Sequence, residues 1–375
     1  MNETLPDKGK DREKNRLYFP ELDGLRFFAF LLVFLHHHEL LSGIPYLLFL
    51  HTHGWIGVDL FFSLSAFLFT KLLIAEFQKT GSISFKKFYV RRIFRIWPIY
   101  VLFILFSIAL YYYFGGSSGD HAGIRIIGLL TFSDNIMTAI YGYNPMPYIA
   151  HLWTITYEEQ FYIFIPIIIL SMVRSSAKRK LLFFVSVFGL LQLIRIVFIA
   201  NQIQNPAIWV LPITHFESIV LGIALGFGGF DFLLKWIKPI AALFLGVILF
   251  IMLGIFPKTD TISYWLIASY SLVGLSTSMV LYAVLNSNFL KTVFSKDLFV
   301  FLGKRSYGLY LYHLLGNGIA SIIMAKATYL PQGHLASFFY SLTFTIVVSV
   351  LSYKYIETPF LKLKQRFEVV TSRPI

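Results

Sequence analysis

Arg26-Phe27-Phe28-Ala29-Phe30-Leu31-Leu32-Val33-Phe34-Leu35-His36-His37-His38 reads as a membrane-crossing helix that opens on a cation and closes on three imidazoles. Ionisable groups inside a span are expensive, so they point to function first. At about 100° per residue, eleven steps from Arg26 return His37 to within roughly 20° of the same face, while His36 and His38 turn about 80° and 120° away. The rise separates Arg26 and His37 by roughly 16 Å along the axis. An interfacial arginine with histidines at a helix end explains the stretch equally well, and the rest of the chain has to choose.

The composition is that of a polytopic membrane protein: 57% hydrophobic, 18% aromatic and only 14% charged residues, with mean hydropathy +0.70. Apolar runs near 24–43, 55–75, 96–114, 150–170, 181–200, 208–229, 239–256, 262–285, 305–326 and 334–356 predict an all-α fold of about ten transmembrane helices. The run 123–140, interrupted by Arg125 and Asp134, predicts a re-entrant or interfacial helix. His-His-His-Glu, rather than a small-residue cleavage site, follows the first run, so it is expected to stay as an anchored span. The domain reading is a basic tail over 1–18, one membrane domain over 19–360 and a second tail over 361–375.

Basic residues set the expected orientation. Lys8, Lys10, Arg12, Lys14 and Arg16, then Arg91, Arg92 and Arg95, then Lys178 to Lys180, Lys235, Lys304, Arg305 and Lys364 fall on one set of connections. Arg125, Lys258 and Lys326 are nearly all that the other set carries. Both termini are therefore expected in the cytoplasm. The net charge of +13 is accounted for by topology and contact with membrane lipids, with no nucleic-acid partner needed. Absence of cysteine excludes disulfides, a thiol nucleophile and thiolate metal sites. His51 and His53 lack metal-ligand spacing, and no metal is expected.

With that orientation, His37, Asp59 and Glu158 come from three helices at one outer depth, a candidate acid/base cluster if their faces converge. Asp59 fits equally a carboxylate capping the second span. Thr156-Tyr157-Glu158-Glu159 fits a capping box through Glu159, which leaves Glu158 as the site candidate. At the inner level, Arg92 and Arg95 lie three apart on a helix, beside Arg26. Guanidinium forks suit phosphates, although positive-inside anchoring also explains the pair. A phosphorylated ligand held there would need an arm of roughly 16 Å to reach His37, as a coenzyme A pantetheine chain provides. Ser306, Tyr307, Tyr310 and His313 recur at helical spacing and are cavity-lining candidates, although aromatic packing near the interface explains the tyrosines too. Arg195, His215 and Glu217 are expected to pair internally.

These residues together resemble the acyltransferase-3 family of integral membrane acyltransferases. The likeness runs from Glu21-Leu22-Asp23-Gly24-Leu25-Arg26 and His37 through Gly57-Val58-Asp59-Leu60-Phe61-Phe62 and Arg92–Arg95 with Ile96-Trp97-Pro98-Ile99-Tyr100. It continues with His151-Leu152-Trp153-Thr154, Glu158-Glu159-Gln160-Phe161-Tyr162, Ser306–His313 and Tyr355-Ile356-Glu357-Thr358-Pro359-Phe360. The resemblance implies transfer of an acyl group, commonly acetyl, from cytoplasmic acyl-CoA to a carbohydrate or glycolipid hydroxyl at the outer side of a bacterial inner membrane. It also implies roles for Arg26, His37, Arg92 and Arg95, and is closest to the stand-alone members. One departure is Ser65-Ala66-Phe67-Leu68, where the family usually has Ser-Gly-x-Leu, so an added methyl group either narrows a donor channel or changes nothing.

The resulting expectation is an acyl-CoA-dependent O-acyltransferase with Arg26, Arg92 and Arg95 on the donor phosphates. His37 is the base, oriented by Glu158 or Asp59, with an acyl-histidine route as the alternative. The competing class is a transporter or exporter of a glycan or lipid intermediate, which the lack of matched halves with interrupted helices argues against.

Overall fold

The computed structural model of the protein describes residues 17–38, 48–116, 121–229, 231, 236–256, 260–327 and 329–374. The first basic cluster, Lys8 to Arg16, and Lys235 and Lys258 lie outside them. The regular structure of the described residues is all helical, with no strand among them.

Helix α1 spans Pro20–His36, and α2 is a short turn over Leu48–His53. Next come α3 (Ile56–Thr80), α4 (Phe85–Tyr113), α5 (Ala122–Leu130) and α6 (Asp134–Tyr141). They are followed by α7 (Trp153–Met172), α8 (Ala177–Ala200), α9 (Ala207–Val210), α10 (Glu217–Gly226) and α11 (Pro239–Met252). The rest are α12 (Trp265–Asn286), α13 (Asn288–Phe294), α14 (Asp297–Lys304), α15 (Ser306–Lys326) and α16 (His334–Ser352). A π-helical turn at Tyr353–Glu357 leads into α17 (Thr358–Gln365).

Seven helices among the described residues are long and apolar enough to cross a membrane: α3, α4, α7, α8, α12, α15 and the continuous run from α16 into α17. The other three predicted spans also form helices, but shorter ones: α1 has 17 residues, α10 ten and α11 fourteen. The interrupted run 123–140 forms two short helices, α5 and α6, whose Arg125 and Asp134 face each other at 3.2 Å. Pairing removes the cost of leaving either charge alone in an apolar setting.

Local signals explain the ends. Pro20 opens α1, with Glu21 and Asp23 in its first turn, where acidic groups favour the positive end of the helix dipole. Gly81, at φ 73°, ends α3 in the left-handed conformation that glycine adopts without strain.

Helix α3 is the centre of the bundle. Two thirds of its apolar window, 67%, is buried inside the protein, against 22% for α8, whose apolar residues largely face outward. It packs against α1, α7, α10 and α12. Two glycines make the approach possible: a Cβ on Gly57 would stand 2.3 Å from the Ala29 carbonyl oxygen, and one on Gly222 would stand 2.6 Å from that of Ser63. Without a hydrophobic drive between helices in lipid, such close backbone contact is a main source of association. Ala66 is fully buried on the α10 side, where a Cβ on Gly222 would come 3.0 Å from its methyl. That methyl packs against α10 and does not line the basic-ended cavity described next, so it does not narrow it.

Candidate active site

One cavity runs alongside α3, whose lining positions extend from Val58 to Leu72, about 21 Å of helix. Its wall carries five basic side chains, Arg26, Arg92, Arg95, Lys364 and Arg373, against two carboxylates, Asp23 and Glu158. The bases gather because α1, α4 and α17 all bring a charged turn to the same end. Arg26 Nη1 lies 3.2 Å from Asp23 Oδ1, and Arg95 lies 3.6 Å from Glu357. The Arg92 guanidinium stacks 4.5 Å above the Phe69 ring. All three arginines that the sequence singled out therefore meet at one cavity, together with Ser65, Tyr307 and Tyr310. The sequence marks Lys364 only as inner-side basic charge and gives no signal for Arg373, because nothing in it shows that chain beyond α16 returns to the bundle.

The three adjacent histidines part company at the other end of α1. The helix stops at His36, so His37 is its C-cap residue rather than part of the last turn. His36 Nδ1 meets the His51 carbonyl at 2.6 Å. His38 is buried, with Phe34 and Phe338 about its ring at 5.8 and 5.5 Å. His37 is exposed, and its Nδ1 lies 2.9 Å from the Val33 carbonyl oxygen. A carbonyl only accepts, so Nδ1 carries the proton in that bond and Nε2 keeps its lone pair.

His37 does not stand beside Asp59 or Glu158. Its ring neighbour is His313, 5.0 Å away between centroids, and His313 in turn lies 4.6 Å from His151. His313 is fully buried behind Tyr310 and is not part of the cavity wall. His151 enters through a motif that the sequence displayed without marking its imidazole. Tyr310 and Thr154, hydrogen-bonded through their hydroxyls at 2.7 Å, stand between the cavity and this histidine cluster.

Asp59 turns the other way. Its Oδ1 accepts from Ser218 Oγ at 2.6 Å and from His215 Nε2 at 2.9 Å. Equal depth on neighbouring helices fixes one coordinate only; the tight α3–α10 contact at Gly222 rotates Asp59 toward α10. Glu158 is half-buried at the cavity wall near Ser65 and Tyr162. Arg195 and Glu217 form a fully buried ion pair, in which Arg195 also donates to the Thr214 carbonyl at 2.9 Å through Nε. His51 and His53 direct their Nδ1 atoms to the carbonyls of Leu35 and Phe49.

A family model described as an acyltransferase domain matches residues 19–354. A provisionally named O-acetyltransferase from Staphylococcus aureus strain COL is 29% identical over 96% of this chain and 60% of its own length. An O-acetyltransferase called OatA, from Staphylococcus aureus strain NCTC 8325, is 28% identical over 92% of this chain and 57% of its own length. The chain thus spans under two thirds of the curated relatives it matches. No solved structure matches it.

Proposed function

Since the chain belongs to the acyltransferase-3 family, we propose that it is a membrane O-acyltransferase that moves an acyl group, most simply acetyl, from cytoplasmic acyl-CoA to a hydroxyl of an extracytoplasmic glycan or glycolipid. It works as a multi-pass protein of the bacterial cytoplasmic (inner) membrane, with both termini in the cytoplasm. The observation that carries this reading is the cluster of five basic side chains at one end of a long, largely apolar cavity. That pattern suits a ligand with a polyphosphate head and a slender uncharged arm, which is the form of acyl-CoA.

Arg26, Arg92 and Arg95 bind the head. The pantetheine arm lies along α3, and its thioester approaches the Tyr310–Thr154 pair, which must part for the acyl carbon to reach His37. His37 Nε2, unprotonated while Nδ1 donates to Val33, takes the proton of the acceptor hydroxyl. The hydroxyl oxygen attacks the thioester carbonyl, the carbon–sulfur bond breaks, and CoA leaves as thiolate and recovers the proton from the imidazolium. His313 and His151 position the His37 ring. Glu158 acts at the donor cavity. Asp59, held by His215 and Ser218, serves the architecture of α3 and α10 rather than the proton transfer.

A second pocket beside His36, lined by the exposed Tyr143 with Asn205 and Asp260, offers a carbohydrate acceptor one aromatic face and groups that bond to hydroxyls. The test is purified protein with radiolabelled acetyl-CoA and a panel of bacterial glycans and glycolipids. Label transferred in a His37-dependent manner supports the reading. A glycan-transport activity with no donor turnover supports the exporter instead.

A further inference from the structure

The segment after α17 is tied across the basic end of the cavity. The Phe367 carbonyl accepts from Arg91 Nη1 at 2.9 Å, and the Phe367 ring sits 5.9 Å from that of Phe94. The Val369 carbonyl accepts from Lys79 Nζ at 2.9 Å, and the Thr371 carbonyl accepts from the backbone N–H of Leu17 at 2.9 Å. Arg373 then closes on Asp23, Nη2 to Oδ1 at 2.8 Å and Nε to Oδ2 at 3.0 Å. Anchors from α3, α4, α1 and Leu17 just before it thus hold a short stretch with no regular structure. Ser372, Arg373 and Pro374 become part of the cavity wall.

Asp23 is shared. It meets Arg26 and Arg373 and accepts from the Tyr18 hydroxyl at 2.9 Å, so one carboxylate balances two guanidiniums. Burial pulls the Arg373 guanidinium down to about 10; Asp23 opposes that, and the nearby Arg95 and Arg26 charges reinforce it. Arg373 stays charged at neutral pH, in a group of cations that outnumber the local acids. Nε donates to Asp23, while Nη2, although 2.8 Å from Asp23 Oδ1, is buried without a hydrogen-bond partner, which leaves a donor for an anion.

We infer that the strap Phe367–Pro374 is part of the donor site and that Arg373 supplies a guanidinium to the phosphates of bound acyl-CoA. The inference rests on the donor reading above and adds a residue that lies beyond the stretch matched by the family model, 19–354. Asp23 keeps Arg26 and Arg373 aimed at one place when no ligand is bound. The strap covers the phosphate head after it enters.

The test compares acetyl-CoA with S-acetyl-pantetheine, which lacks the entire phosphorylated adenosine head, by equilibrium binding to the full chain in detergent. Arg373→Ala should weaken acetyl-CoA about tenfold, the usual effect of losing one charge-assisted hydrogen bond, and leave S-acetyl-pantetheine unchanged. Arg373→Lys should recover part of the loss. Equal affinity for acetyl-CoA in wild type and Arg373→Ala overturns the inference while the donor reading stands. Equal weakening of both donors overturns it too, because it assigns the strap a purely structural role. Tighter binding on losing Arg373 would make the strap a plug and would also refute it. Wild-type protein that binds neither donor would remove the donor reading itself.

Discussion

Nε2 of His313 lies 3.4 Å from Nδ1 of His37, the nitrogen that the Val33 carbonyl also holds at 2.9 Å. Two acceptors on one N–H restrict rotation of the His37 ring and present Nε2 outward. His313→Ala should therefore lower kcat while leaving KM for acyl-CoA near the wild-type value. A change confined to KM would detach His313 from the His37 ring.

The three histidines should separate on substitution. General-base catalysis contributes about 10²–10⁴-fold, so His37→Ala should reduce turnover by that order with expression unchanged. His36→Ala should keep kcat near the wild-type value, with any effect confined to KM for the acceptor, because His36 lines the second pocket. His38→Ala should lower the melting temperature, since it removes a ring packed by Phe34 and Phe338, yet keep most turnover per folded molecule. Equal losses of turnover at all three positions would count against His37.

Arg92 and Arg95 test recognition against simple anchoring. Lysine preserves charge and topology but not the planar fork, nor the stacking of Arg92 on Phe69. Arg92→Lys and Arg95→Lys should each weaken acetyl-CoA binding, by about tenfold where a charge-assisted bond is lost. Topology reporters should not change. Normal binding by both variants would place the donor phosphates elsewhere.

The Arg195–Glu217 pair should matter for stability rather than chemistry. Glu217→Ala strands a buried guanidinium and should cost about 3–5 kcal/mol in thermal or denaturant unfolding. Replacing both partners with apolar residues, Arg195→Met with Glu217→Leu, should recover much of that loss. A double variant no better than the single would show that the surrounding hydrogen bonds, not charge balance, dominate.

Sidedness can be read in oriented proteoliposomes. Acyl-CoA supplied on the face of Arg26, Arg92 and Arg95 should acylate acceptor on the opposite face, and acyl-CoA supplied only on the opposite face should not. Transfer that needs both substrates on the basic face would end the through-membrane scheme, even with His37 essential.

From sequence alone, the all-helical membrane fold and the gathering of Arg26, Arg92 and Arg95 are legible, because lipid imposes long apolar runs and makes isolated charge costly. For the same reason Arg195 and Glu217 were expected to have internal partners. Depth along a helix follows from residue count, but rotation about its axis does not. That rotation is set by close contacts such as Gly57 on Ala29 and Gly222 on Ser63. They direct Asp59 to His215 instead of His37 and leave His313 and His151 as the neighbours of His37. The strap from Phe367 to Pro374 has neither periodicity nor an apolar run, and its course depends on anchors as distant in sequence as Leu17, Lys79 and Arg91. Only the folded bundle brings those anchors together, so only the tertiary structure could place Arg373 beside Asp23.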